Sequence, residues 1–233
     1  MRKTLILLAA ALLGSMTAAE YPVEKLTLCG GAVAENGVLK LDGKKAYAAI
    51  PGTEAVALVA PGATFACSVK PQFEARRGAP NEIMDSYFSK KGVPFTLCRW
   101  GGAISSRVRN TATGKYEIVR CYALPPANAW THLAFVIEPV AGKENAWNFR
   151  FYVNGQQKFE KTVDNLSPDA GRGPVELGKG WTGPWMFAGE MADITVEPKV
   201  LTAEEIAGLA AKSRARKFIY YSICVKVIFK YRM

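Results

Sequence analysis

His132, in the stretch NAWTHLAFVIEP at residues 128–139, is the only histidine in the chain. Acting as a general base, it would need an aligned nucleophile or a carboxylate to orient it. The sequence carries no G-x-S-x-G or comparable nucleophile motif, and a histidine-based metal site would need more than one histidine. Cys29, Cys67, Cys98, Cys121 and Cys224 include no C-x-x-C pair, so the short-spaced soft ligands of a structural zinc site are missing. Asp42, Asp85, Asp164 and Asp169 are scattered and form no D-x-D-x-D-G series, the pattern by which a loop holds calcium. Aromatic residues offer a different chemistry. Trp181 and Trp185 lie in the Gly- and Pro-rich GKGWTGPWMF, and Trp100 precedes Gly101-Gly102. A large ring in a loop has little local strand to pack on, so these three tryptophans are candidate stacking platforms for a ligand. Arg76 and Arg77, in EARRGAPNE, read as solvated loop charges.

Composition narrows the setting. Residues 1–19 contain Arg2 and Lys3, an apolar run from Leu5 to Leu13, and small residues ending in Thr17-Ala18-Ala19. That is the layout of a secretory signal with cleavage after Ala19, so the mature protein is expected to be secreted, extracellular or periplasmic. The run is shorter than the ~20 residues that cross a bilayer. No transmembrane span is therefore expected after cleavage. The net charge is +10, but nine basic residues sit in the signal or after residue 211, which leaves 21 basic against 20 acidic residues in 20–211. A neutral body lacks the clustered cations that track a phosphate backbone, which argues against a nucleic-acid partner. An exported chain can form disulfides, and with five cysteines at least one thiol must stay unpaired or pair between chains. Cys224 is the first candidate.

The elements that must position these residues are strands. ATFACSVKP alternates Phe65, Cys67 and Val69 with Ala66, Ser68 and Lys70, a half-buried strand. In FRFYVNGQQKF, Phe149, Phe151 and Val153 alternate with Arg150 and Tyr152 before Asn154-Gly155, which tolerate positive φ and predict a tight hairpin. PFTLCRW and YEIVRCY read as further strands, with turns at Gly101-Gly102 and Thr113-Gly114. WTHLAFVI is apolar on both faces, so it should be buried between layers with His132 making one internal hydrogen bond. One helix is expected. Thr202 and Glu205 form a T-x-x-E capping box, Leu201 can staple onto Ile206, and Leu209 continues that face. These patterns predict an all-β, antiparallel β-sandwich spanning 20–211 with a short C-terminal helix. Residues 212–233 form a basic, apolar tail unlike anything before it.

The ordered series Trp130-x-His132, Tyr152-Val153-Asn154-Gly155, Gly178, Phe187-x-Gly189 and Leu201-Thr202 with Glu205-Ile206 resembles the laminin-G-like, concanavalin A-like lectin/glucanase jelly-roll domains of exported bacterial proteins. The likeness covers roughly residues 24–211. It implies a concanavalin A-like jelly roll, and it implies that Trp-x-His is scaffold. No cofactor is read from the residues themselves; calcium is implied by the resemblance alone. Glucanases of this fold carry E-x-D-x-E or E-x-D-x-x-E on one strand, and retaining enzymes hold the two carboxyls about 5 to 5.5 Å apart. Here Glu190 and Asp193 are three positions apart, so a regular strand sends them to opposite faces. Asp193 is expected to be a structural hydrogen-bonding residue. The reading is therefore an exported, non-catalytic recognition or adhesion module whose partner is a glycan or a cell-surface protein. The glycan is favoured through the resemblance. The alternatives are a protein-interaction or structural surface domain, and a polysaccharide-acting enzyme with a dispersed site.

Overall fold

The computed structural model describes residues 20–51, 62–72, 81–86, 95–168, 174–180 and 185–215. Trp181, Arg76, Arg77, Asp169, Cys224 and the signal stretch lie outside them. The described strands are β1 (Thr27–Cys29), β2 (Val33–Glu35), β3 (Val38–Asp42), β4 (Tyr47–Ile50), β5 (Ala63–Pro71), β6 (Asn81–Ser86), β7 (Phe95–Trp100), β8 (Ala103–Arg109), β9 (Tyr116–Cys121), β10 (Thr131–Pro139), β11 (Trp147–Val153), β12 (Gln156–Val163), β13 (Val175–Leu177) and β14 (Ala188–Glu197), followed by helix α1 (Ala203–Lys212).

They form two antiparallel sheets. The front sheet runs β1-β4-β13-β6-β7-β8-β9 and the back sheet β12-β11-β10-β5-β14-β3-β2. Between them lies one core. Phe65, Phe135, Phe149 and Phe151 enter it from the back sheet, and Ile50, Ile83, Leu97, Ile104, Val175 and Leu177 from the front. Phe135 and Phe151 have ring centroids 4.8 Å apart and a 47° tilt, a geometry that keeps ring edges near ring faces. Burying each such side chain stabilises the fold by about 1.5–3 kcal/mol. The all-β sandwich with one C-terminal helix is the architecture expected from the alternation of the strands.

The helix explains why β5 and β10 are apolar on both faces. Thr202 Oγ1 accepts the Glu205 N–H at 3.1 Å, and Glu205 Oε2 accepts the Thr202 N–H at 2.7 Å. Started by this capping box, α1 lays Ile206 and Leu209, with Leu201, on Ala66, Ala134, Val136 and Tyr152 of the back sheet's outer face. Ala134 and Ala66 are direct cross-strand partners, and their small side chains leave room for the helix. The Asn154-Gly155 hairpin turn also sits beneath it. Gly155 has φ +78°, and a Cβ there would lie 3.1 Å from Ala207 Cα.

This packing corrects two expectations. The strand β5 is not half-buried, since Ala66 and Ser68 are shielded as completely as Phe65. His132 pairs with Ser68 on the face shared with Ala134 and Val136, so it lies outside the inter-sheet core, on the side that the helix covers. Asn154 clamps its backbone, with Oδ1 accepting the His132 N–H at 2.9 Å and the Asn154 N–H reaching His132 O at 2.7 Å. Nδ1 of the imidazole is buried and has no hydrogen-bond partner. Burial drives the His132 pKa down to about 4, partly opposed by the carboxylate of Asp193.

Candidate functional site

The helix covers the middle of the back sheet's outer face at β5, β10 and β11, while strands β7, β8 and β9 carry the tryptophan-bearing outer face of the front sheet. Ile104, Val108 and Val119 point into the core, so the alternate residues look outward. Register sets Thr96, Arg107 and Ile118 side by side in one row and Cys98, Ser105 and Arg120 in the next. Trp100 ends β7 on this same face, opposite Ala103.

Trp185 arrives from the connection between β13 and β14. Its carbonyl accepts the Gly180 N–H at 2.9 Å, and below it Lys179 bridges Met186 and the Phe187 N–H reaches Gly178 O at 2.9 Å. Gly178, at φ +81°, passes so close to Leu41 that a Cβ would stand 2.3 Å from Leu41 Cδ1. A side chain here would combine an unfavourable positive φ with displacement of the Leu41 side chain. The neck of the loop is thereby fixed, and Trp185 is directed over the sheet.

The two tryptophans meet through an arginine. Arg107 Cζ is 4.8 Å from the centroid of Trp100 and 4.8 Å from that of Trp185. Arg120 Cζ is 5.1 Å from the Trp100 ring. The quadrupole of each indole attracts a guanidinium placed over its face, so Trp185, Arg107, Trp100 and Arg120 form one contact cluster. Both indoles are half-buried, whereas Arg107 is only 7% exposed. Beside the cluster, Thr96 Oγ1, Ser105 Oγ, and Nε and Nη2 of Arg107 are buried with no hydrogen-bond partner. Further along the same sheet Glu176 binds Lys179 at 3.0 Å, and that ammonium lies 4.2 Å from the Tyr47 ring centre.

Of the three tryptophans singled out in the sequence, Trp100 and Trp185 come together here, and Trp181 lies outside the described residues. Sequence alone does not single out Arg107 and Arg120. An outward arginine in a strand resembles any solvated charge, and the only local signal is that Arg107 closes a run begun by Trp100-Gly101-Gly102 with Ser105-Ser106 between them.

The acidic residues behave differently from a glucanase pair. Glu190 pairs with Lys70 and Ala192 with Ser68, but the next partner of Ser68's neighbouring outward residue, Ala66, is Thr195. One extra residue is therefore inserted, and Asp193 takes φ +52°. The expectation that regular alternation separates Glu190 from Asp193 fails at this bulge. Both carboxylates are engaged: Glu190 binds Lys70 Nζ at 3.3 Å, and Asp193 Oδ2 accepts the Arg214 N–H at 2.7 Å just beyond α1. Asp193 thus makes a structural hydrogen bond. Asp42 Oδ1 accepts the backbone N–H groups of Lys44, Lys45 and Ala46 at 2.8–2.9 Å, which hold its pKa down at about 2. These carboxylates do not fit a calcium site. Among the described residues no three His, Cys, Asp or Glu side chains converge as metal ligands. No disulfide joins any two of Cys29, Cys67, Cys98 and Cys121. Cys98 and Cys121 occupy opposite faces of the front sheet, and burial raises the Cys67 thiol to about 12. No helix among the described residues is long and apolar enough to cross a membrane.

Two antiparallel sheets over one core, with a short helix on the back, define a concanavalin A-like jelly roll. The chain belongs to the concanavalin A-like lectin/glucanases superfamily, whose Laminin_G_3 family model matches residues 42–207. No curated protein matches its sequence. Among solved structures it resembles the botulinum neurotoxin serotype D binding domain, with TM-score 0.59, 14% identity, and coverage of 79% of this chain and 46% of that one. It also resembles the botulinum neurotoxin type G receptor binding domain, with TM-score 0.58, 12% identity, and coverage of 79% and 45%. A third similar structure is domain 4 of AbnA, a GH43 extracellular arabinanase from Geobacillus stearothermophilus, in complex with arabinotriose. There the TM-score is 0.56 at 20% identity, covering 78% of this chain and 82% of that domain. The chain spans under half the length of the toxin domains it matches.

Proposed function

We propose that this chain is an exported, non-catalytic recognition module that binds carbohydrate on the outer face of its front sheet. The observation that carries the reading is the cluster of Trp185, Arg107, Trp100 and Arg120. It fixes two half-exposed indoles on a rigid sheet at one place, and a sugar site needs such an aromatic surface beside a few oriented polar groups. Fold-level likeness adds support: one similar structure is an arabinanase domain in complex with arabinotriose, and the others are toxin binding domains. A glycan or a cell-surface protein is the class of partner that such neighbours favour, and the aromatic cluster favours the glycan. Export rests on the layout of residues 1–19, and N-terminal sequencing of the secreted protein should begin at Glu20.

The test is a glycan-array screen of the full chain, with calcium and again with a chelator, alongside an assay for reducing ends. Binding to a defined glycan without release of reducing ends supports the reading. Release of reducing ends would make the protein an enzyme, and capture of a cell-surface protein with no glycan bound would make it a protein-interaction domain. Loss of binding on chelation would add a calcium ion.

A further inference from the structure

We propose that the carbohydrate surface of the front sheet continues past Trp100 to Tyr122, so that the site takes an extended oligosaccharide and Tyr122 is the contact that reads its length. The inference rests on the carbohydrate reading above and adds a subsite at the edge strand β9. Three observations carry it.

The first is exposure. The Tyr122 side chain stands in solvent, 75% exposed, against 37–46% for Leu28, Val33 and Ile118, the other exposed large hydrophobics among the described residues. Ile118 lies on the same strand, so the exposed apolar surface of the front sheet gathers at the edge nearest the tryptophans. A contiguous patch of this kind, unlike a single exposed side chain, marks a contact surface.

The second is placement. Val119 and Cys121 face the core, and Ala123 packs against it, so Ile118, Arg120 and Tyr122 point outward. Cys121 pairs with Ile104, and Ala103, the residue before Ile104, pairs with Trp100. The antiparallel register therefore carries Tyr122 to the position across Ala103 from Trp100, two strand spacings or about 10 Å away. The methyl group of Ala103 is too short to screen either ring. At the other end of β8, Trp185 lies over Arg107, four residues and about 13 Å along the strand from Ala103. Trp100 links the two positions, since it pairs with Ala103 and touches Arg107. Three aromatic side chains thus follow one line that is longer than a single sugar ring. Exposed Arg120, over the Trp100 ring at 5.1 Å, adds hydrogen-bond donors beside that line.

The third is a fixed backbone. Tyr122 is held between Cys121, buried in the core, and Ala123 and Leu124, which pack against it. A ligand that covers the ring orders one side chain and no loop, which keeps the cost of binding low. A short sugar seated at Trp100 and Trp185 leaves Tyr122 uncovered, and a longer chain reaches it.

The test is calorimetric titration of the full chain with arabinan, xylan, galactan and β-1,4-glucan oligomers graded from monomer to hexamer, repeated with Tyr122→Ala and Tyr122→Phe. We expect affinity in one series to rise with length. Tyr122→Ala should lower affinity for the longer oligomers about 3- to 10-fold and leave the shorter ones unchanged, while Tyr122→Phe, which keeps the ring, should bind as the unaltered protein does. In the unaltered protein, the longer oligomers alone should shield Tyr122 from nitration, read by mass spectrometry, so the test stands even where a variant fails to fold. Loss at every length, loss at none, or nitration of Tyr122 undiminished by a bound hexamer would overturn the subsite and leave the carbohydrate reading standing. Failure of all four series to bind would overturn both.

Discussion

Arg107 of β8 lies over the ring of Trp185 in the β13–β14 connection, 4.8 Å from guanidinium carbon to ring centre. The contact ties a loop residue to the middle of a strand. A double-mutant cycle on Arg107→Gln and Trp185→Ala should give a coupling energy of about 0.5–2 kcal/mol in chemical denaturation. Additive effects would mean that the two side chains are merely adjacent.

His132 makes stability depend on pH. Its folded pKa of about 4 lies below the ~6.5 of an unfolded histidine. Between those values the unfolded chain binds a proton that the folded chain refuses. Stability is therefore complete above about pH 6.5 and is lost as pH falls toward 4, by roughly 3 kcal/mol at most. Urea unfolding at pH 7 and pH 4.5 should show this loss, and His132→Leu should abolish most of it. An unchanged slope in the variant would assign the effect to carboxylates. Asp42, held low at about 2 by backbone amides, acts in a separate window below pH 4.

The C-terminal helix is fastened by its first turn. Thr202→Ala removes the hydroxyl that accepts the Glu205 N–H and should cost about 1 kcal/mol. Ile206→Ala, at a fully buried position against Ala66, Ala134 and Val136, should cost about 2–5 kcal/mol. A smaller loss for Ile206→Ala than for Thr202→Ala would show that the helix is not docked on the back sheet.

Gly155 should not tolerate a side chain. Its φ of +78° and the 3.1 Å approach to Ala207 Cα make Gly155→Ala destabilising by about 1–3 kcal/mol. A neutral effect in thermal unfolding would mean that the hairpin and the helix stand farther apart.

What the sequence disclosed was local. Thr202 and Glu205, or Asn154 and Gly155, specify a cap and a turn within a few residues, and period-two alternation in β11 specifies which face is buried. The misread features depend on distant partners. His132 looked like an inter-sheet residue because two apolar faces suggest two sheets, while here the second cover is a helix that begins some seventy positions later. Asp193 looked regular because a bulge is visible only in the register with β5. Arg107 could not be distinguished from a solvated charge until Trp185 was placed over it.

In the proposed function, Trp100 and Trp185 form the surface that meets a sugar. The most direct measurement is the affinity of the full chain for the tightest glycan found on an array, compared with a Trp100→Ala, Trp185→Ala variant of verified fold. Affinity is expected to fall about tenfold or more. Undiminished binding by the folded variant would contradict it.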